Sequence, residues 1–356
     1  MGLVKRGMVK YGPCGGFTPE RVGRKLPGGI VEALCKAANS SLAASTWKKY
    51  EGCLRVAKKM MEKRGVRIGF PLSQEELWMV VGALIQEGKK PATIDGYLCS
   101  LKQAHRVRGY SGDIFEDPLV KSATKGLKNV IAAEPKVERA VISIQMMKGW
   151  RKRVQVLALP YVDKRMIWLC LSGIFCGSLR PSELLAEGET VGGDLGQKAL
   201  RWKNVLDIEE RSKGRKEEVI QISLTAPKTV RYMPRQVVAL PAVQSVLCPV
   251  SAWKAFAKVM KGRMDPEGLV FCWSSGRPFT SRELGKLMTL WSGPEARVTP
   301  RDLRAALPSL LARKGVKEDT LKMLGRWSSS AYNNYIRKGR ANSWADAKKA
   351  LEMVLM

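Results

Sequence analysis

The chain has 356 residues, too many for one ordinary compact core and suited to two domains. Its 62 lysines and arginines against 32 aspartates and glutamates give a formal net charge of +30, which points to a polyanion and favours nucleic acid over a membrane surface. A single histidine, His105, removes histidine-based zinc sites and the Ser-His and Cys-His forms of nucleophilic catalysis.

The start, Met1-Gly2-Leu3-Val4-Lys5-Arg6, lacks the apolar core of a secretory signal, so an intracellular protein with no membrane association is expected, nuclear in a eukaryotic host. Residues 1–37 are rich in Gly, Lys and Arg without lasting periodicity and read as a flexible basic arm. Four helices then make a domain over 38–133. Trp47, Tyr50, Leu54, Ala57 and Met61 recur at helical spacing. Ser73 with Glu76 forms a capping-box pattern before Leu77, Val80, Val81 and Leu84. Pro91 opens a helix carrying Ile94, Tyr97, Leu98 and Leu101, and Pro118 opens another carrying Leu119, Ala123, Leu127 and Val130. Residues 134–142 read as a linker to a larger domain, 143–340.

That domain begins helix-rich, and its longest apolar run, Met166 to Cys176, is too short to span a bilayer. Three strand-like runs, Leu200 to Ile208, Glu218 to Leu224 and Arg235 to Leu240, suggest a small antiparallel sheet. Helices follow at Pro249 to Met260, Ser281 to Trp291, Pro300 to Lys314 and Asp319 to Leu324. A last amphipathic piece, 341–356, packs on its own domain or docks in trans on a neighbouring protomer. The eight cysteines form no C-x-x-C pair and read as free, buried thiols.

Two arginines stand in unusual contexts. Arg180 follows an apolar helix and a glycine turn, in Gly177-Ser178-Leu179-Arg180-Pro181-Ser182-Glu183. Arg304 shares with Arg301 the first turn of a helix that Thr299, Pro300 and Asp302 open, a positive helix end that favours phosphate. The spacing of three puts both on one face, with Leu303, Leu307 and Leu310 inward. Guanidinium groups suit phosphate because each planar fork binds two oxygens and stays charged.

Over residues 40 to 340 the sequence resembles the tyrosine recombinase (phage integrase) family. The motifs that carry the resemblance occur in the family's order: Arg180 with Glu183, Lys228 in Thr225-Ala226-Pro227-Lys228-Thr229, Arg301 to Arg304 in place of H-x-x-R, and Leu324-Gly325-Arg326, nine residues before Tyr335. The phrases around Arg326-Trp327 and Tyr332 to Arg337 are similar to recombinases of DIRS-type and Crypton mobile elements. The resemblance implies a mainly α fold with a small antiparallel β-sheet, a four-helix core-binding domain plus an α+β catalytic domain, closing as a C-shaped clamp on double-stranded DNA. It implies a DNA recombinase or integrase working as a dimer per site and a tetramer on two sites, without cofactor or metal.

Residue by residue, the resemblance implies that Tyr335 attacks phosphorus, Arg180 and Arg304 hold the nonbridging oxygens, Glu183 orients Arg180, and Lys228 protonates the departing 5′ oxygen. Arg301, where the family has histidine, cannot serve as a base but eases phenolate formation. Arg326 or Trp327 fills the family's His or Trp position. On the first domain, Lys48, Lys49, Lys89, Lys90, Thr93, Lys102 and Arg106 are the expected DNA contacts, and His105 reads as DNA-facing or surface. Tyr332 is the rival nucleophile. A type IB topoisomerase-like relaxing enzyme and a catalytically inactive DNA-binding relative are the alternative functions.

Overall fold

The computed structural model describes residues 28–39, 41–42, 44–133, 141–186, 188, 199–212, 215–225, 235–293, 296 and 298–327. The chain divides into two compact units between residues 137 and 138. Lys228, Tyr332, Tyr335 and the 341–356 segment lie outside the described residues, as does most of the expected linker.

The first unit contains α1 (Gly28–Asn39), α2 (Ala44–Glu62), α3 (Gln74–Gln86), α4 (Pro91–Val107) and α5 (Pro118–Ala133). Helix α1 corrects the reading of residues 1–37 as an arm throughout. Two leading glycines with poor helix preference mask a pattern in which Val31 and Cys35, four apart, are buried. The expected capping box is present at α3: Glu76 N–H donates to Ser73 Oγ at 3.1 Å and Ser73 N–H to Glu76 Oε2 at 2.7 Å.

Helix α5 is turned relative to the expected stripe. Leu119 and Val130 are exposed, whereas Val120 and Thr124 are buried. Asp117 sets this register: Oδ1 accepts from Val120 N–H at 2.9 Å and from Trp78 Nε1 of α3 at 3.0 Å. His105 is not a surface residue either. It is buried, receives the Leu72 N–H on Nε2 at 3.0 Å, and lies edge-on to Phe70, Tyr110 and Phe115. Its Nδ1 faces the Ser111 carbonyl at 3.2 Å, so the proton belongs on Nδ1. Burial holds its pKa below the ordinary value, with Arg108 pushing the same way and the Ser111 contact opposing.

The second unit contains α6 (Ile144–Val156), α7 (Tyr161–Gly177), α8 (Pro181–Leu184), α9 (Pro249–Met260), α10 (Ser281–Ser292), α11 (Pro300–Arg313) and α12 (Glu318–Gly325). Between α8 and α9 lie β1 (Val205–Ser212), β2 (Arg215–Thr225) and β3 (Arg235–Pro241), antiparallel in the order β1-β2-β3, with Val205 opposite Ile222 and Val219 opposite Pro241. The first strand begins later than expected. Residues 202–204 form a 3-10 turn in which buried Trp202 stacks on Phe256.

Helix α7 is the centre of this unit. Every residue from Met166 to Phe175 is buried, so the helix is apolar on all faces because all faces are covered. Among the described residues, no helix is long and apolar enough to cross a membrane. Seven cysteines are described as free thiols; Cys35, Cys170 and Cys248 are buried as expected, but Cys99 is exposed.

Candidate active site

The end of α7 determines where Arg180 stands. Gly177 closes the helix in a tight place: a Cβ there would lie 3.0 Å from Leu179 Cγ and from Leu240 Cδ2. The left-handed turn falls on the next residue, Ser178, at φ 45, where the sequence suggests a glycine. Pro181 then starts α8 with Arg180 as its N-cap, and Glu183 reaches back: Oε2 accepts the Arg180 N–H at 2.7 Å and Oε1 accepts from Arg180 Nη1 at 2.7 Å.

The start of α11 brings the second arginine. Thr299 N–H and Oγ1 both donate to Asp302 Oδ2 at 2.8 Å, which fixes the first turn. Arg304 is 2 % exposed, surrounded in sequence by buried Leu303, Ala305 and Ala306, whereas Arg301 is exposed. The expectation that the two share one environment therefore fails. A spacing of three leaves about 60° between side chains, enough to put one on each side of the boundary between core and solvent. Arg304 Nη2 donates to the Gly325 carbonyl at 2.7 Å, and Nη1 lies 3.9 Å from Glu183 Oε2.

The end of α12 supplies the third. Arg326 caps that helix in the left-handed region at φ 55, and its Nη2 donates to Glu183 Oε2 at 2.7 Å and to the Ser178 carbonyl at 3.4 Å. Trp327 folds back over Gly325, and the Arg304 guanidinium lies 5.7 Å from its ring centroid. Three guanidinium groups thus face one carboxylate that is 8 % exposed. Burial alone pushes the Glu183 carboxyl up, but the Arg326 charge, then the N–H donors of Arg326 and Arg180, hold it below the ordinary carboxylate value.

No family model and no curated protein matches the chain. Among solved structures it is similar to the Tn1549 transposon integrase in complex with transposon right end DNA, at a TM-score of 0.53 and 16% identity over 88% of this chain and 95% of that one. It is similar also to the XerH site-specific recombinase bound to difH substrate, at a TM-score of 0.52 and 12% identity over 90% and 82%. The chain has the fold of the tyrosine recombinases.

Within this tyrosine recombinase fold, Arg180, Glu183, Arg304, Arg326 and Trp327, drawn from distant parts of the sequence, come together, while Arg301 at the same helix start is exposed. The Ser178 carbonyl is a member of the cluster that sequence reasoning missed; the signal was a helix ending on Gly177 with no second glycine to take the left-handed position. On the first unit, Lys48, Lys49, Lys90, Thr93 and Arg106 are exposed. Lys102 and Lys89 are partly covered and pair with Glu116 and Glu87. Among the described residues no group of His, Cys, Asp and Glu is arranged to hold a metal ion.

Proposed function

We propose that the chain is a site-specific DNA recombinase of a mobile element that cuts and rejoins strands through a 3′-phosphotyrosyl intermediate. One observation carries this reading: three guanidinium groups from three separate helix ends gather around a single buried carboxylate. Guanidinium groups gathered at one place make a site for an anion, and a phosphodiester offers oxygens matched to a guanidinium fork. The DNA complexes of the Tn1549 integrase and XerH, which share the fold, support DNA as that anion.

In the proposed reaction the Tyr335 oxygen loses its proton to solvent and bonds to phosphorus while the bond from phosphorus to the 5′ oxygen breaks, and Lys228 gives that departing oxygen a proton. Arg180 and Arg304 hold the nonbridging oxygens and stabilise the pentavalent state. Exposed Arg301 lowers the cost of forming the phenolate by its charge alone. The phosphotyrosyl bond conserves the energy of the one broken, so rejoining needs neither ATP nor a metal. Lys48, Lys49, Lys90, Thr93 and Arg106 track DNA phosphates, with a dimer on each site and a tetramer joining two sites.

A nicked suicide substrate tests the reading by trapping an SDS-resistant adduct. Tyr335→Phe removes the adduct and leaves salt-sensitive DNA binding, while Arg180→Ala or Arg304→Ala slows its formation by about 10²- to 10³-fold. Tight binding without an adduct from the unsubstituted protein would overturn it in favour of an inactive relative, and relaxation of plasmid lacking any specific site would favour a topoisomerase.

A further inference from the structure

Arg326 occupies a place where the family resemblance leads one to expect histidine or tryptophan, and its contacts differ from what a simple phosphate ligand would make. Its Nη2 is directed at Glu183 Oε2, 2.7 Å away, and at the Ser178 carbonyl, 3.4 Å away. Ser178 and Arg326 are also the non-glycine residues with positive φ among those described, a conformation disfavoured for residues with a Cβ and held only when the surroundings fix it. One guanidinium therefore joins the turn that leads into Arg180, the carboxylate that grips Arg180, and the turn that ends α12.

We infer that Arg326 is a positioning residue, holding Glu183 and the Ser178 carbonyl together so that Oε1 stays turned to Arg180 and the forks of Arg180 and Arg304 stay aimed at the phosphate. This rests on the recombinase reading for what is aimed, and on geometry alone for what is held. The charged groups that face Glu183 are Arg180 on its own element, Arg304 from α11 and Arg326 at the end of α12. Of the three, Arg326 has the largest lowering influence on the carboxyl, against a burial effect that would otherwise raise it. Removing Arg326 should therefore make the site acid-sensitive through Glu183. The competing assignment is direct phosphate contact through Arg326 Nε and Nη1, which have no hydrogen-bond partner among the described residues.

The test measures adduct formation on the suicide substrate between pH 5 and 8 for the unsubstituted protein, Arg326→Gln, Arg326→Lys, Glu183→Gln and the Arg326→Gln, Glu183→Gln double variant, with DNA affinity read over a range of salt. Arg326→Gln should be slower by about tenfold or more at pH 7, as for other groups that orient a site from behind. Its rate should fall further as the pH drops towards 5, and Glu183→Gln in the same chain should abolish that acid loss. Arg326→Lys, which keeps the charge without the fork, should restore part of the rate and the flat profile. DNA affinity and its salt slope should not change.

A profile for Arg326→Gln parallel to that of the unsubstituted protein overturns the inference, as does a salt slope shallower by about one, the sign of a lost phosphate contact. Absence of any adduct from the unsubstituted protein counts against the recombinase reading alone. In that case ¹³C NMR of labelled glutamate carboxyls still decides: the Glu183 signal, identified by Glu183→Gln, titrates at higher pH in Arg326→Gln, and less so in Arg326→Lys, if Arg326 holds it, and unchanged in both if not.

Discussion

Arg304, in the first turns of α11, donates to the carbonyl of Gly325 at the last residue of α12, 2.7 Å away. The same glycine carries the Trp327 ring against it, so close that a Cβ would lie 2.0 Å from Trp327 Cζ3. Gly325→Ala should therefore displace the tryptophan and the carbonyl together. Its expected cost is about 1–3 kcal/mol of stability from overpacking, with loss of adduct formation beyond what partial unfolding explains. Gly149→Ala in α6, where a Cβ meets nothing within 4 Å, is the control and should gain about 0.5–1 kcal/mol. Denaturant unfolding of the two variants checks the contrast.

Glu183→Ala leaves Arg180, Arg304 and Arg326 facing one another without their shared carboxylate. Breaking a buried ion pair from one side costs about 3–5 kcal/mol. The sign of the pH dependence follows from the lowered carboxyl. The contribution of Glu183 is fully present above the unfolded carboxylate pKa of about 4.3 and is lost as pH falls through the lower folded value. Guanidinium unfolding at pH 7 and pH 4 should show the variant penalty shrinking on acidification; an equal penalty at both would refute this account.

An anion seated among these arginines should stabilise the second unit by mass action, with about 1.4 kcal/mol at ten times its Kd. Sulfate at fixed ionic strength should raise the Tm of the unsubstituted protein more than that of Arg180→Ala. Identical sulfate increments in the two proteins would reduce the effect to general salting and remove the anion site.

His105 makes the first unit acid-labile. Its folded pKa lies below the ordinary value, so its neutral form supports the fold above about pH 6.5, and that support is lost as pH falls from there through the folded value. Unfolding midpoints at pH 7.5 and 5.5 should differ more for the unsubstituted protein than for His105→Gln, which keeps an acceptor for the Leu72 N–H but cannot take up a proton.

The cations of the first unit are not equivalent. Lys48→Gln and Lys49→Gln should each make the salt slope of DNA binding shallower by about 0.9 if the residue contacts a phosphate. Lys102→Gln should change it less, because Lys102 is already answered by Glu116. Filter-binding titrations across salt separate the two cases.

Helix starts were legible because their signals are local: Ser73 with Glu76, Pro91, Pro249, and Thr299 with Pro300 and Asp302 all open the helices they suggest. Signals overridden by tertiary contacts were misread. The face of α5 depends on Asp117 reaching Trp78 in another helix, and the burial of His105 depends on Leu72 and three aromatic rings distant in sequence. In the site, spacing alone suggested the pair of Arg180 and Glu183, three apart. Nothing in spacing said that Arg326, 143 positions further on, would take the other oxygen of the same carboxylate. The burial of Arg304 did leave a trace, an arginine set among Leu303, Ala305 and Ala306, but a strongly basic chain makes such a trace easy to overlook.

Helix α7 has no wet side from Met166 to Phe175, and Arg180 lies only three residues beyond its last turn. A shaft gripped all round cannot roll or slide to absorb an oversized neighbour, so an insult to its middle travels to its tip. Bulky replacements at Cys170 or Gly173, deep in hydrocarbon, should thus behave as misalignments of the phosphate grip, and loss-of-function changes should be as frequent along this hidden axle as among the arginines themselves.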